Sequence, residues 1–218
     1  MKNGFTLFLG VFATLALSWA GVLLTAHRQF GSLGQFKDAA DESLNPAAFS
    51  GIADRGRMVY QDLGCVSCHT QQVRRESFGA DIGRGWGTRQ SVARDYIRDR
   101  TAFIGSSRLG PDLRNTAARG YADAEYFYKL LYAPQSVAPG TNMPAYSFLF
   151  DVRAIGAEPS PKALKLTGRF APPARHEVVP TSRADELVAY LLSLKDTYEY
   201  PESRPYVAPV KKGGEPLR

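Results

Sequence analysis

From Phe5 to Ala26 the chain runs for 22 residues without a charge. As a helix this run measures about 33 Å, enough to cross a hydrocarbon core of about 30 Å. Trp19 lies toward one end, where interfacial aromatics sit. Lys2 precedes the run, and His27 and Arg28 follow it. A cleaved signal peptide is the rival reading. The run is longer than a normal signal core, and no Ala-x-Ala site precedes His27. A retained membrane anchor over residues 1–28 is therefore expected. With Lys2 and Arg28 at opposite ends, positive charge does not orient it.

The other strong constraint is a pair of cysteines, the only two in 218 residues, at Cys65 and Cys68. Two cysteines cannot build a disulfide framework. The next residue is His69, which makes Cys65-Val66-Ser67-Cys68-His69 the attachment pattern of a c-type haem. The spacing has a chemical reason. Two thiols add across the two vinyl groups of one porphyrin, and the following imidazole is held beneath the iron as proximal ligand. A zinc site needs four ligands. Beyond the motif the sequence offers only His27, at the membrane edge, and His176. A thioredoxin-like pair would open a helix after a strand, whereas this one follows an expected helix and a glycine.

The sixth ligand is sought among three methionines. Met58 lies on the helix before the motif, on a turn expected to face away. Met143, in Asn142-Met143-Pro144-Ala145-Tyr146, follows His69 by 74 residues and can close the distal side. His/Met ligation raises the potential, which suits an electron carrier. Met143 as a packing residue is the alternative. A metal-bound imidazole also donates its second N–H to a fixed acceptor. In Gly110-Pro111-Asp112-Leu113 the Pro111 carbonyl is the candidate, against a plain Gly-Pro turn.

The net charge is +6, and ten arginines but no lysine fall between Arg74 and Arg119. No nucleic-acid recognition motif accompanies them, so no nucleic-acid partner is expected. A solvated or partner-facing basic surface, or pairing with haem propionates, accounts for them.

The rest of the chain reads as an all-α domain with long loops. Residues 29–50 form a polar connector broken by Gly31, Gly34 and Asn45-Pro46. A helix spans Ile52 to Leu63 and stops at Gly64. Another covers Asp123–Tyr132. Ser182 to Asp185 reads as a capping box opening a last helix, with Leu187, Tyr190, Leu191 and Leu194 on one face. Gly56 opposite an aromatic of that helix would permit a close crossing. Ala154–Pro180 reads as a Pro-rich loop, and 199–218 as an extended tail. The haem domain is placed at 51–198.

Beyond the haem motif, Gln71-Gln72-Val73-Arg74, Trp86-Gly87-Thr88-Arg89, Gly110-Pro111-Asp112-Leu113 and Met143-Pro144-Ala145-Tyr146 occur in that order. Together they resemble the mono-haem cytochrome c subunit (subunit II) of cbb-type, or C-family, haem–copper oxidases, over roughly residues 1–150. The resemblance implies a class I cytochrome c domain on one transmembrane helix. It implies one covalent haem c at Cys65 and Cys68, with iron held by His69 and Met143. Pro111 and Arg74 are implied neighbours of the haem, Arg74 as a propionate or subunit-interface contact. The implied partners are the membrane, another cytochrome c as electron donor, and a multi-spanning haem–copper catalytic subunit that reduces oxygen. The implied location is the bacterial inner (cytoplasmic) membrane with the haem domain on the periplasmic side, and no catalytic site is expected in the chain itself. Arg75 stands where the family pattern has proline, Phe148–Thr181 is longer than the common form, and the last helix is unusually clear. These departures point to a divergent branch, either an oxidase with different partner subunits or a related nitric oxide reductase. The competing functions are a free-standing tethered carrier and a peroxidase with an open iron position.

Overall fold

A computed structural model describes residues 3–39 and 41–204, which fall into two compact units. The first comprises the chain up to Pro46 together with Ala93–Asp99. Its main element is α1, Gly4–Phe30, 27 residues with none buried. That is about 40 Å of helix. It runs one turn past the uncharged segment, through His27 and Arg28, and the Gly31 N–H closes it on the His27 carbonyl at 2.8 Å. Arg28, a cation in that last turn, complements the exposed carbonyls there. Among the described residues α1 is the single helix long and apolar enough to cross a membrane.

The polar connector is more ordered than its composition indicates. Phe36–Lys37 (β1) and Leu44–Asn45 (β2) pair antiparallel, Phe36 opposite Asn45. Ala93–Asp99 joins this unit from far along the chain, and Arg94 donates to the Gly34 carbonyl at 2.5 Å.

The second unit is organised by two crossing helices. α2, Gly51–Asp62, is capped by Ser50, whose hydroxyl accepts from the Ala53 N–H, and it buries Ala53, Gly56, Val59 and Tyr60. α4, Ser182–Ser193, buries Ala184, Leu187, Val188, Tyr190 and Leu191. Gly56 makes the crossing possible. A Cβ there would lie 1.8 Å from the Glu186 carbonyl oxygen and 2.9 Å from Cβ of Tyr190. Tyr60 and Tyr190 meet edge to face at 5.5 Å, and Phe103 and Phe49 extend the ring cluster. Of these rings Tyr60, Tyr190 and Phe103 are buried, and burying an apolar side chain as large as Phe103 contributes about 1.5–3 kcal/mol relative to exposure. α3, Ala124–Tyr132, is capped by Asp123 and places Phe127 and Leu131 in the same core.

Two readings change here. The cap of α4 is Thr181, one residue before the expected Ser182, with its hydroxyl accepting from the Ala184 N–H. Asp185 instead accepts from the Tyr128 hydroxyl at 2.7 Å and pairs with Lys162. Side-chain partners outcompeted the backbone. The Pro-rich segment is also not all loop. Phe150–Ala154 (β3) and His176–Pro180 (β4) pair antiparallel, Phe150 opposite Pro180. Phe150 and Val178 are buried in the core. Helices dominate the regular structure, but the all-α expectation is amended by these two short ladders.

The end of the described chain packs more closely than an extended tail. Tyr200 is wholly buried, Pro201–Ser203 forms a 3-10 turn, and Arg89 stacks over both Tyr198 and Tyr200. The rest of the expected tail, 205–218, lies outside the described residues.

Candidate haem site

α2 gives way to the Cys65–Cys68–His69 segment through Gly64, whose φ of +68° is the left-handed turn a glycine takes without strain. The chain then makes one 3-10 turn over Cys65–Ser67. The Cys65 carbonyl accepts from the N–H groups of both Cys68 (3.2 Å) and His69 (3.0 Å). Both half-buried thiols and the imidazole are thereby carried on a single turn. Burial pushes the Cys65 thiol up to about 11, partly opposed by hydrogen bonds, including one with the Tyr146 hydroxyl.

Nδ1 of His69 is 2.8 Å from the Pro111 carbonyl oxygen. A carbonyl only accepts, so Nδ1 carries the proton and Nε2 keeps its lone pair for a metal. Burial lowers the imidazole's pKa, against the opposing pull of the Pro111 bond, and this favours the neutral ring that ligation needs. Two glycines shape the cradle. A Cβ on Gly110 would sit 2.2 Å from Cε1 of His69, and one on Gly105 (φ +83°) would sit 2.6 Å from the His69 carbonyl oxygen. The Gly110 N–H donates to the Cys68 carbonyl at 2.9 Å. Any larger residue at 110 would push the ring off its acceptor.

The loop bearing Met143 meets this turn through Tyr146. The Tyr146 N–H is tied to the Leu131 carbonyl at 2.7 Å, and its hydroxyl reaches Cys65. Met143 is half-buried against the core, and its N–H donates to the Thr141 hydroxyl at 3.2 Å. Met58 is 62% exposed on α2, consistent with the outward face expected for it. Two thiols, a preset imidazole with a free Nε2, and a thioether loop joined to the same turn form a donor set that fits a covalently held iron porphyrin.

The family model described as Cytochrome C oxidase, mono-heme subunit/FixO matches residues 5–194. The chain belongs to this family. No curated protein matches it. Membership makes the FixO-family chain a mono-haem cytochrome c subunit of a cytochrome oxidase, working in electron transfer, and α1 fits a single-pass membrane protein. The match ends at the last residue of the α4 cap, Leu194.

Arg74 of this FixO-family chain turns its guanidinium to Asp81, with Nε–Oδ2 at 3.3 Å and Nη2–Oδ1 at 3.1 Å. Asp81 is fully buried, and Arg108 reaches it at 2.5 Å. Burial pushes this carboxyl up, but the hydrogen bonds from Arg108 and Arg74 outweigh it and hold the group at about 2. Arg75, in the proline position of the family pattern, has φ −63°, the value proline would impose, and stacks over Phe78 at 4.4 Å.

Sequence reading passed over Asp112, although it lies within the quoted Gly-Pro-Asp-Leu. It is fully buried. Its Oδ2 accepts from the Thr70 hydroxyl (2.6 Å) and the Gln72 N–H (2.7 Å), and its Oδ1 from the Arg114 N–H (2.9 Å). A carboxylate following a Gly-Pro turn was the available signal. Only the fold shows which strand of chain it grips. His176 is exposed at the start of β4, with Nδ1 near the Ala174 carbonyl.

Proposed function

We propose that this chain is the electron-transfer subunit of a respiratory haem–copper terminal oxidase. In this reading it takes electrons from another cytochrome c and delivers them singly to a multi-spanning haem–copper subunit that reduces oxygen. The observation that carries the reading is the His69 Nδ1 bond to the Pro111 carbonyl at 2.8 Å, which leaves Nε2 ready for iron directly after the two thiols. One haem c would supply a one-electron iron couple. Cys65 and Cys68 would hold it by thioethers, His69 and Met143 would ligate its iron, and the Pro111 carbonyl fixes the imidazole ring. Gly110 leaves room for that ring and Gly105 for the His69 main-chain carbonyl, and the half-buried Met143 would supply the thioether. Arg74, tied to Asp81, offers a half-exposed cation to a partner subunit.

The domain reading keeps 1–28 as anchor, 29–50 as connector, 51–198 as the class I cytochrome c domain and 199–218 as tail. Because c-type haem is attached on the outer face, the N-terminus lies inside and the domain on the periplasmic side of the bacterial inner membrane. No oxygen-reducing site is assigned to the chain itself.

Native purification from membranes tests this. The expected result is haem that stays with the chain after denaturation, co-purification with a subunit holding b-haem and copper, and oxygen consumption. Nitric oxide reduction without oxygen consumption would transfer the subunit to a reductase. A lone haem protein with neither activity would make it a tethered carrier.

A further inference from the structure

The Asp112 carboxylate lies one residue from the carbonyl that holds the His69 ring. It binds both ends of the contact: Thr70 and Gln72 on the motif side, Arg114 on its own loop. The Leu113 N–H adds a bond to the Thr70 carbonyl at 2.7 Å, so the two segments are laced around the imidazole. The charges around it are arranged in series. Arg108 faces Asp112 Oδ2 at 3.8 Å and Asp81 at 2.5 Å, Arg74 closes the far side of Asp81, and Arg119 grips the Asp112 main-chain carbonyl. Arg108 is only 17% exposed, and Asp81 and Asp112 are sealed from solvent. Water therefore screens these charges weakly.

We propose that Asp112 is a positioning residue whose buried charge, balanced by Arg108, sets the reduction potential at His69. The inference rests on the reading of His69 as the proximal ligand. A negative charge beside the proximal ring favours the iron state of higher positive charge and lowers the potential, and a nearby cation does the reverse. A role confined to holding the loop in shape would not distinguish the sign of the charge removed.

The experiment measures haem content, midpoint potential and the iron–histidine vibrational frequency for the full chain in its complex. Asp112→Asn should raise the potential and weaken the iron–histidine bond. Arg108→Gln should lower the potential. Thr70→Val, which removes one hydrogen bond to the carboxylate and no charge, should move it less than either charge variant. Shifts of the two charge variants in the same direction, or no shift in either, overturn the proposal while leaving the functional reading intact. If Asp112→Asn does not accumulate, the other two variants decide. A fall with Arg108→Gln alone supports the proposal, and equal shifts in both overturn it. Absence of covalent haem in the unaltered chain overturns the functional reading and the proposal together.

Discussion

Gly110 and His69 are in contact so close that the glycine hydrogen occupies the only room available: a methyl group there would lie 2.2 Å from Cε1 of the ring. The Nδ1 atom of the same ring is held by the Pro111 carbonyl at 2.8 Å. Gly-Pro is therefore a two-part device, one residue giving access and the next supplying the acceptor.

Gly110→Ala should displace the imidazole from its acceptor. The expected outcome is a large loss of covalently bound haem, or haem with a mixed or high-spin optical spectrum. Pyridine haemochrome quantitation and visible spectroscopy on purified protein check it. Full haem content with an unaltered spectrum would mean that the cradle is looser than its geometry.

Gly56→Ala acts on stability through the α2–α4 crossing. Its Cβ would meet the Glu186 carbonyl oxygen at 1.8 Å, a backbone atom that cannot rotate away. A cost at the upper end of the about 1–3 kcal/mol typical of overpacking, or beyond it, is expected. Urea unfolding followed by circular dichroism measures it, and a midpoint equal to the parent's would refute the crossing.

Met143→Ala should abolish the sulfur–iron optical signature while leaving haem attachment through Cys65 and Cys68 in place. The potential should fall, since loss of a thioether ligand disfavours the reduced iron. Met58→Ala, at a 62% exposed position, serves as the control and should change neither.

Acid should destabilise the haem domain through Asp81. Its carboxyl sits at about 2 in the folded chain against 3.8 ordinarily. The folded value is depressed, so its contribution of about 2 kcal/mol is present above pH 4 and is lost as the pH falls from about 4 toward 2. Asp81→Asn should flatten that limb of the stability–pH curve. An acid transition unchanged by the substitution would show that Arg74 and Arg108 do not hold the charge.

The local elements were readable because their signals are local. Gly64 after an amphipathic stretch marks the end of α2, Asp123 the start of α3, and the Leu187–Leu194 pattern the buried face of α4. The Pro-rich segment was misread because β3 and β4 are about 20 residues apart and their pairing carries no periodicity of its own. Thr181 and Ser182 are chemically equal as caps, and only the Tyr128 and Lys162 partners of Asp185 decide between the two registers.

What the sequence by itself determined are the features that rest on covalent order: an uncharged run long enough to span a bilayer, two thiols and an imidazole on one turn, and a Gly-Pro pair to receive that imidazole. The tertiary structure alone decided which charges meet. Arg74 and Arg108 both converge on Asp81, Asp112 grips Thr70 and Gln72, and Arg89 lies over both Tyr198 and Tyr200. Ten arginines look alike along the chain. A buried carboxylate selects its partners by distance in the folded state, where the cost of leaving it unpaired is paid.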